Sequence, residues 1–191
     1  MNKMKKKITK GTFGYLPLQK KKNIVRTVCL FLIALAIFVM GYITTGTRAN
    51  LLTIVAMLGM LPASKSAVEM ILFLRQRNCD SAIYKRIVPH EGKLLIAYEL
   101  VLTSYEKNFP ISSIAVNANT VCGYTENEKC DVNAAEKHIQ DILKKNGYKP
   151  TVKIFKEMDK YVNRLDTLNE LQSENPNVDM EILEVIKAIS I

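Results

Sequence analysis

The chain opens with two long runs of apolar residues separated by a short polar connection. Residues 27–45 contain no charge, whereas residues 51–74 carry one lysine and one glutamate in their later half. At a rise of 1.5 Å per residue, about 20 apolar residues cross the ~30 Å hydrocarbon core of a bilayer. Both runs are therefore predicted to be membrane-spanning helices. The connection at residues 46–50 is so short that the two helices must run antiparallel and in contact.

Positive charge flanks this pair of apolar runs on one side. Nine Lys and Arg and no acid precede the first run, and further basic residues follow the second, whereas the connection carries only Arg48. Lys and Arg are retained on the cytoplasmic side of membrane-spanning segments. We therefore expect a multi-pass protein of the cell (cytoplasmic) membrane with both termini cytoplasmic.

The net charge of +9 is distributed unevenly along the 191 residues. Residues 1–93 hold sixteen Lys and Arg against three acids, a net of +13, and residues 94–191 hold eleven against fifteen, a net of −4. Lysines near a membrane are attracted to anionic headgroups by about 1 kcal/mol per charge. The expected partner is thus a lipid bilayer with anionic headgroups. Nucleic acid is disfavoured, because the distal region lacks the basic surface that a phosphate backbone requires.

Small residues recur along one face of the second apolar run. They are Ala56, Gly59, Ala63 and Ala67. Their spacing places them on one side of a helix, and small residues let two helices approach closely. The stripe is predicted to pack on the first helix of the hairpin. A seam between two copies of the chain, giving a homo-oligomer, is the alternative.

Lys65 and Glu69 form a polar pair inside the second run. They are four residues apart and therefore adjacent on the helix surface, roughly opposite the small-residue stripe. One interpretation is an interfacial ion pair that ends the span, with Lys65 extending toward the headgroups. The other is a polar contact with a partner membrane protein.

Aromatic and apolar residues also lie among the lysines of the N-terminal flank. Phe13, Tyr15, Leu16 and Leu18 precede the first apolar run. Rings in such a position are typical of an interfacial segment anchored at headgroup level. The flank is therefore predicted to lie on the membrane surface.

Beyond the apolar runs the periodicity changes to that of a small soluble domain. Residues 94–103 alternate as a strand does, with one apolar face. The residues of that face are Leu94, Ile96, Tyr98, Leu100 and Leu102. Residues 109–124 are rich in Ile, Val and Thr and predict one bent strand or two short ones, with a break at 117–119.

Helices are predicted around one further strand. Asn133 and Glu136 have the spacing of a capping box, and Gly147 suits the position after the helix that follows. The remaining predicted elements are a connecting helix at 79–88, a strand at 151–155, and helices at 158–168 and 178–189.

The expected fold class is α+β (or α/β), in which an N-terminal transmembrane helical hairpin precedes a small cytosolic domain with a sheet of three to four strands packed by helices. The predicted segments are a basic cytoplasmic or interfacial tail at 1–26, the hairpin at 27–74, a juxtamembrane connector at 75–92, and the cytosolic mixed domain at 93–191.

Candidate catalytic chemistry is confined to acids and a lysine near a strand end. The residues are Glu99, Glu126, Glu128, Lys129 and Asp131. Restriction-endonuclease-like sheets use carboxylates and a lysine to hold a divalent metal and activate water. That pattern requires an Asp and then Glu-x-Lys on a strand, whereas here Glu128 and Lys129 are adjacent in a loop. A solvated loop leading to a helix N-terminus, which favours acids, explains the same residues.

Metal and cofactor chemistry finds no other support in the sequence. His90 and His138 each lack a second ligand at a recognisable metal-binding spacing. Three cysteines, Cys79, Cys122 and Cys130, fall in the predicted cytosolic part, where thiols stay reduced. No nucleophile elbow, dinucleotide-binding glycine pattern or kinase signature is present. We therefore expect no metal and no cofactor.

The segment KKITKGTFGY, the hairpin and the stretch PASKSAV resemble small uncharacterised two-helix membrane proteins of Gram-positive bacteria, over about the first 75 residues. This resemblance implies a location in the membrane and no activity. The sequence predicts a non-enzymatic interaction or scaffolding module tethered to the cytoplasmic face. Two alternatives remain open: a membrane-tethered metal-dependent hydrolase or nuclease-like domain that uses the acids, and an accessory subunit of a transport or secretion complex that uses Lys65 and Glu69.

Overall fold

The structure is a computed structural model that describes residues 9–76, 78–104 and 107–190. The chain divides into two compact units. One is the segment Leu16–Gln76, and the other joins the described residues before Leu16 to those after Gln76. The elements in chain order are α1 (Tyr15–Thr45), α2 (Leu51–Arg75), α3 (Ser81–Ile87), a 3-10 turn (Val88–His90), β1 (Leu95–Thr103), β2 (Asn108–Asn117), β3 (Thr120–Tyr124), α4 (Val132–Lys145), β4 (Thr151–Phe155), α5 (Met158–Glu170) and α6 (Pro176–Ala188).

Helices α1 and α2 form an antiparallel hairpin. The hydroxyl groups of Thr27 and Ser66 lie 2.9 Å apart in a buried hydrogen bond between the helices. Closer to the turn, a Cβ atom built on Gly41 would lie only 2.7 Å from the Cβ of Leu52. The side chain of Asn50 caps α2 by accepting a hydrogen bond from the backbone N–H of Thr53. The short connection thus brings the helices together, and they remain in contact along the hairpin.

Helix α1 begins at Tyr15 rather than at residue 27. Its 31 residues make it roughly 46 Å long at 1.5 Å per residue, which exceeds the thickness of a hydrocarbon core. The extra turns contain Lys and Gln, which are good helix formers. Hydropathy therefore located the apolar part of the helix, whereas helix propensity sets where the helix starts.

Both hairpin helices are long and apolar enough to cross a membrane. In their most apolar windows only 17% and 22% of the residues are buried, so neither is a core helix of the fold. Among the described residues, all but three of the exposed large hydrophobic side chains belong to α1 and α2. The apolar surface of the hairpin is therefore turned outward.

The second unit is built on an open mixed sheet in the order β1-β2-β3-β4. The first three strands are antiparallel neighbours, and β4 runs parallel to β3 after the crossover through α4. The predicted break between β2 and β3 is a two-residue turn in which Ala118 and Asn119 have φ of 47° and 53°. Two positive φ values are typical of the primed turns that join hairpin strands. The described residues thus form an α+β fold with six α-helices and a four-stranded sheet.

Helices cover both faces of this sheet. Apolar residues of α4 and α6, such as Ile139 and Ile182, pack on one face. Those of α3 and α5, such as Ile87 and Leu165, pack on the other. The two apolar clusters lie on opposite sides of the sheet and form its core.

The single apolar face predicted for β1 is wrong. Tyr98 packs with α3 and α5, whereas Leu100 and Leu102 pack with α4 and α6. The reason is Glu99, whose φ of 55° is left-handed and interrupts the alternation in the middle of the strand. On β2 the alternation of side chains between the two faces also shifts, at Ser112, which lies opposite Glu99. The two strands therefore stay paired residue by residue before and after this point.

The start of α4 also differs from the predicted capping box. The cap is Asp131, whose carboxylate accepts a hydrogen bond from the backbone N–H of Ala134 at 3.1 Å. Glu136 instead accepts a hydrogen bond from the backbone N–H of Ile154 at 2.8 Å, on the outer edge of β4. A strand N–H outside the sheet needs an acceptor, and this tertiary contact takes the carboxylate that the local pattern had assigned to the cap.

Candidate functional site

The N-terminal flank packs on the domain that follows the hairpin. The carbonyl oxygen of Gly11 accepts a hydrogen bond from the backbone N–H of Tyr98 at 2.8 Å. The ring of Phe13 stacks on that of Tyr84 with centroids 4.1 Å apart, and Tyr84 meets Tyr98 edge-on at 5.1 Å. Phe13, predicted to anchor at headgroup level, therefore lies in an aromatic group of the domain. This contact joins residues far apart in sequence and has no signal in local periodicity.

A basic side chain extends the same contact. The ammonium group of Lys10 donates a hydrogen bond to the carbonyl oxygen of Ser190, and burial lowers the pKa of Lys10. Ser190 in turn forms a β-bridge with Leu102 of β1. The first and the last described segments of the chain therefore meet at the outer edge of this strand.

Two of the predicted carboxylates, Glu99 and Glu126, raise the pKa of one buried thiol, that of Cys79. Glu99 is only 3% exposed on β1, and Glu126 follows β3 on the surface. Burial first, and then Glu126, Glu99 and Asp80, raise the pKa of Cys79 to about 12. A thiol with such a pKa is protonated and a poor nucleophile. The surroundings of Cys79 are therefore acidic and include the left-handed residue Glu99, and they do not activate the thiol.

The other predicted residues lie in the solvated loop before α4. Asp131 caps the helix and lies 3.5 Å from the ammonium group of Lys107. The hydrogen bond from the backbone N–H of Ala134, and then Lys107, lower the pKa of Asp131. The carbonyl oxygen of Glu128 accepts a hydrogen bond from Lys156, and Lys129 is exposed. Strand β3 reads TVCGY and carries no Glu-x-Lys.

Metal ligands do not gather in the part of the chain that the structure describes. No group of three His, Cys, Asp or Glu residues there is arranged to hold an ion. His90 contacts α5 instead, with its Nδ1 2.6 Å from the carboxylate of Asp166. His138 lies near the ring of Phe109, with ring centroids 5.8 Å apart. Among the predicted carboxylates and imidazoles, only Glu99 and Glu126 affect a common group, the thiol of Cys79.

Buried polar groups beneath α5 were not identified from the sequence. The hydroxyl groups of Tyr161 and Ser113 lie 2.9 Å apart in the interior, and burial raises the pKa of Tyr161. The Tyr98 hydroxyl donates to the carboxylate of Glu91 at 2.5 Å; burial first, then that bond, raises its pKa. Ser113 lies in a predicted strand, and Tyr161 lies on the apolar face of a predicted helix. The one sign of a buried polar group in the sequence was therefore a serine within an apolar strand.

A polar cleft of about 480 Å³ lies between the β2–β3 turn and the loops before β4 and α6. Its floor contains Asp179, which is 3% exposed. The carboxylate accepts hydrogen bonds from the backbone N–H groups of Ala118 and Asn119, both at 3.0 Å, and from the hydroxyl of Ser173 at 2.5 Å. Asp179 therefore holds the turn and the loop together, and its hydrogen-bonding capacity is used within the fold.

The polar pair of the hairpin lies where the apolar part of α1 begins. Glu69 forms an ion pair with Arg26 of α1 at 3.5 Å, and Lys65 is exposed. The contact between Thr27 and Ser66 fixes the register, so both members of the pair lie at the end of the apolar run rather than in its middle. Sequence spacing alone paired Glu69 with Lys65 and missed the cross-helix partner.

The small-residue stripe lies mainly between the hairpin helices. Ala56 and Ala63 are buried, and Ala67 is half-buried. A Cβ atom built on Gly59 would lie 3.8 Å from the Cβ of Ala34 on α1, an ordinary contact. The two helices thus approach each other over small side chains.

Comparison with known proteins adds no assignment. No protein-family model matches the chain, and neither a curated protein nor a solved structure is significantly similar to it. Function therefore has to be inferred from the arrangement of the residues described above.

Proposed function

We propose that the protein is a non-enzymatic interaction or scaffolding module in which the hairpin anchors the α+β domain at the cytoplasmic face of the cell membrane. The outward apolar surface of α1 and α2 supports the anchoring. Each Å² of apolar surface left in water costs about 25 cal/mol. A bilayer removes that cost, and a helix with polar residues confined to its ends fits such an environment.

The observation that carries the proposal is the contact between the two flanks of the hairpin. Gly11 and Phe13 precede α1, whereas Tyr84 and Tyr98 follow α2. A direct contact requires both partners on the same side of the membrane, as an even number of spans provides. The excess of Lys and Arg in these flanks favours the cytoplasmic side.

The charged end of the hairpin is the part of the anchor best suited to a partner. Arg26 neutralises Glu69, and the exposed ammonium group of Lys65 forms no ion pair among the described residues, so its charge is available to a partner close to headgroup level. Anionic lipid headgroups supply one complement to that charge. A carboxylate of a membrane-protein partner, as in an accessory subunit of a transport or secretion complex, or of a second copy supplies another.

Replacement of both Lys65 and Glu69 by Leu in the full chain tests the interaction role. After purification in mild detergent, we expect the variant to lose a co-purifying membrane protein that the unchanged chain retains. The matched control is replacement of Asp141 and Lys145 by Leu, since these exposed residues have the same spacing on α4. Equal retention of the partner by both variants would contradict a role for the charged end of the hairpin.

A membrane-tethered metal-dependent hydrolase is the second candidate, and only the common effect of Glu99 and Glu126 on the pKa of Cys79 favours it. Binding of Mn²⁺ to the full chain, measured by the electron paramagnetic resonance signal of the free ion, tests it. A hydrolase of this kind predicts that Glu126→Gln weakens binding at least tenfold while Glu128→Gln, in the same exposed loop, does not. Equal or absent binding in all three proteins eliminates this candidate.

A further inference from the structure

The outer edge of β1 is covered by segments that do not belong to the sheet. Strand β1 is at one end of the strand order, so one side of it has no neighbouring strand among β1–β4. The backbone N–H of Tyr98 nevertheless donates to Gly11, and Leu102 bridges Ser190. An open strand edge is a template for pairing with another extended segment. The N-terminal flank covers this edge with turns rather than with a strand, and it takes up the outward N–H of Tyr98 that an added strand would use.

The surface under the flank is selective for the residues it holds. Gly11 has φ of 86°, and a Cβ atom there would lie 3.2 Å from the Cβ of Ala97 and 2.9 Å from Cε of Lys187. A side chain at this position is therefore opposed by both backbone conformation and space. Two residues later, Phe13 stacks on Tyr84 with rings inclined by only 13°. The surface thus fits a glycine followed after one residue by an aromatic ring.

We infer that the surface formed by Tyr84, Ala97 and Tyr98 is a recognition site for a glycine-x-aromatic turn, and that its occupant is the chain's own segment 10–13, which lies in the turns closed by the N–H groups of Thr12 and Tyr15. This segment is a clasp that closes the β1 edge. The inference rests on the proposed function, because the clasp reaches the domain only when both flanks of the hairpin lie on one side of the membrane. A hairpin inserted with its flanks on opposite sides leaves the edge open.

Lys10 adds a second restraint to the clasp. Its ammonium group donates to the carbonyl oxygen of Ser190, next to the bridge between Ser190 and Leu102. The clasp belongs to the same chain as the domain it closes, so its contact is intramolecular and has a high effective concentration. A segment of the same chemistry from another chain must therefore match this concentration to replace it.

A pair of engineered cysteines tests the clasp in the full chain. Phe13→Cys combined with Tyr84→Cys, oxidised in membrane vesicles, is expected to form an intramolecular disulfide. Phe13→Cys with Thr151→Cys, on the exposed side of the opposite edge strand, is expected to form none. Phe13→Cys alone controls for reaction with the natural Cys79, which lies close to α3.

Two glycines provide a control for selectivity. Gly11 and Gly14 have φ of 86° and 85°, but a Cβ atom on Gly14 would meet nothing within 4 Å. Gly11→Ala is therefore expected to slow disulfide formation at least tenfold, and Gly14→Ala to slow it less than threefold. Equal slowing by both substitutions would overturn the selectivity, because their backbone strain is the same.

Labelling with a membrane-impermeant thiol reagent separates failure of the clasp from failure of the proposed function. If both engineered cysteines are protected in intact cells and no disulfide forms on oxidation, the clasp is overturned and the same-side arrangement survives. If Phe13→Cys is labelled from outside while Tyr84→Cys is protected, the flanks lie on opposite sides, and both proposals fail. A disulfide that depends on Gly11 supports both.

Discussion

Removal of the buried carboxylate of Asp179 is expected to destabilise the domain strongly. The side chain accepts three hydrogen bonds, two from backbone N–H groups of the β2–β3 turn and one from Ser173. Hydrogen bonds to a charged group contribute about 1.5–3 kcal/mol each, but the donors of the turn are only part-buried and regain water from the adjacent cleft. We therefore expect Asp179→Ala to lower the free energy of unfolding by about 3 kcal/mol.

Thermal unfolding of the full chain in detergent, followed by circular dichroism, measures this effect. For a domain of this size 1 kcal/mol shifts the midpoint by about 4–8 °C, so about 3 kcal/mol corresponds to a decrease of roughly 12–24 °C. Asp141→Ala, an exposed acid of α4, is the matched control and is expected to stay within about 0.5 kcal/mol of the unchanged protein. A shift for Asp179→Ala no larger than that of this control would refute the role of Asp179 in holding the turn and the loop together.

Three further predictions address the hairpin, the thiol cluster and α4. Gly41→Ala is expected to lower the thermal midpoint of the hairpin, because overpacking against Leu52 costs about 1–3 kcal/mol. Gly59→Ala is expected to leave the midpoint unchanged, because its Cβ would lie 3.8 Å from that of Ala34. Equal midpoints for the two variants would contradict the helix contact at Gly41. The pKa of Cys79 is raised from 9.0 to about 12, so at pH 8 the thiol is expected to react with iodoacetamide roughly a thousand times more slowly in the folded than in the unfolded chain. Mass spectrometry measures the two rates. Similar rates would show that the thiolate is accessible in the folded chain. The lowered pKa of Asp131 contributes stability above the unfolded pKa of about 3.9, and this stability is lost as the pH falls through the lower folded value. The advantage of the unchanged protein over Asp131→Asn in chemical denaturation should therefore be present at pH 7 and decrease steadily as the pH is lowered below about 3.9. An advantage that does not change in acid would assign it to packing.

Much of the fold follows from local patterns. The two apolar runs predict α1 and α2, and alternation and turn chemistry predict the strands around residues 117–119, because each signal lies within a few residues of the element it determines. The start of α1 was missed, since hydropathy does not report the helix propensity of a lysine-rich stretch. The change of face in β1 was missed because the left-handed φ of Glu99 depends on its buried surroundings and not on its alternation pattern.

The arrangement of the candidate sites depends on contacts between distant residues. The pairing of Arg26 with Glu69 depends on the register of the hairpin, and the stack of Phe13 on Tyr84 brings together two segments separated by both helices. Likewise, Glu99 and Glu126 both raise the pKa of Cys79 because β1 and β3 belong to one sheet. Sequence spacing identified most of these residues but could not determine their partners.

The side of the membrane on which each part of the chain lies is the most direct test of the proposed architecture. Thr47→Cys, in the turn between α1 and α2, and Thr151→Cys, on the exposed face of β4, are introduced separately into the full chain. An impermeant thiol reagent is then applied to sealed, right-side-out bacterial membrane vesicles. We expect Thr47→Cys to be labelled at once and Thr151→Cys only after the vesicles are opened. Labelling of Thr151→Cys in sealed vesicles, or protection of Thr47→Cys until they are opened, would contradict a hairpin that holds the domain on the cytoplasmic side.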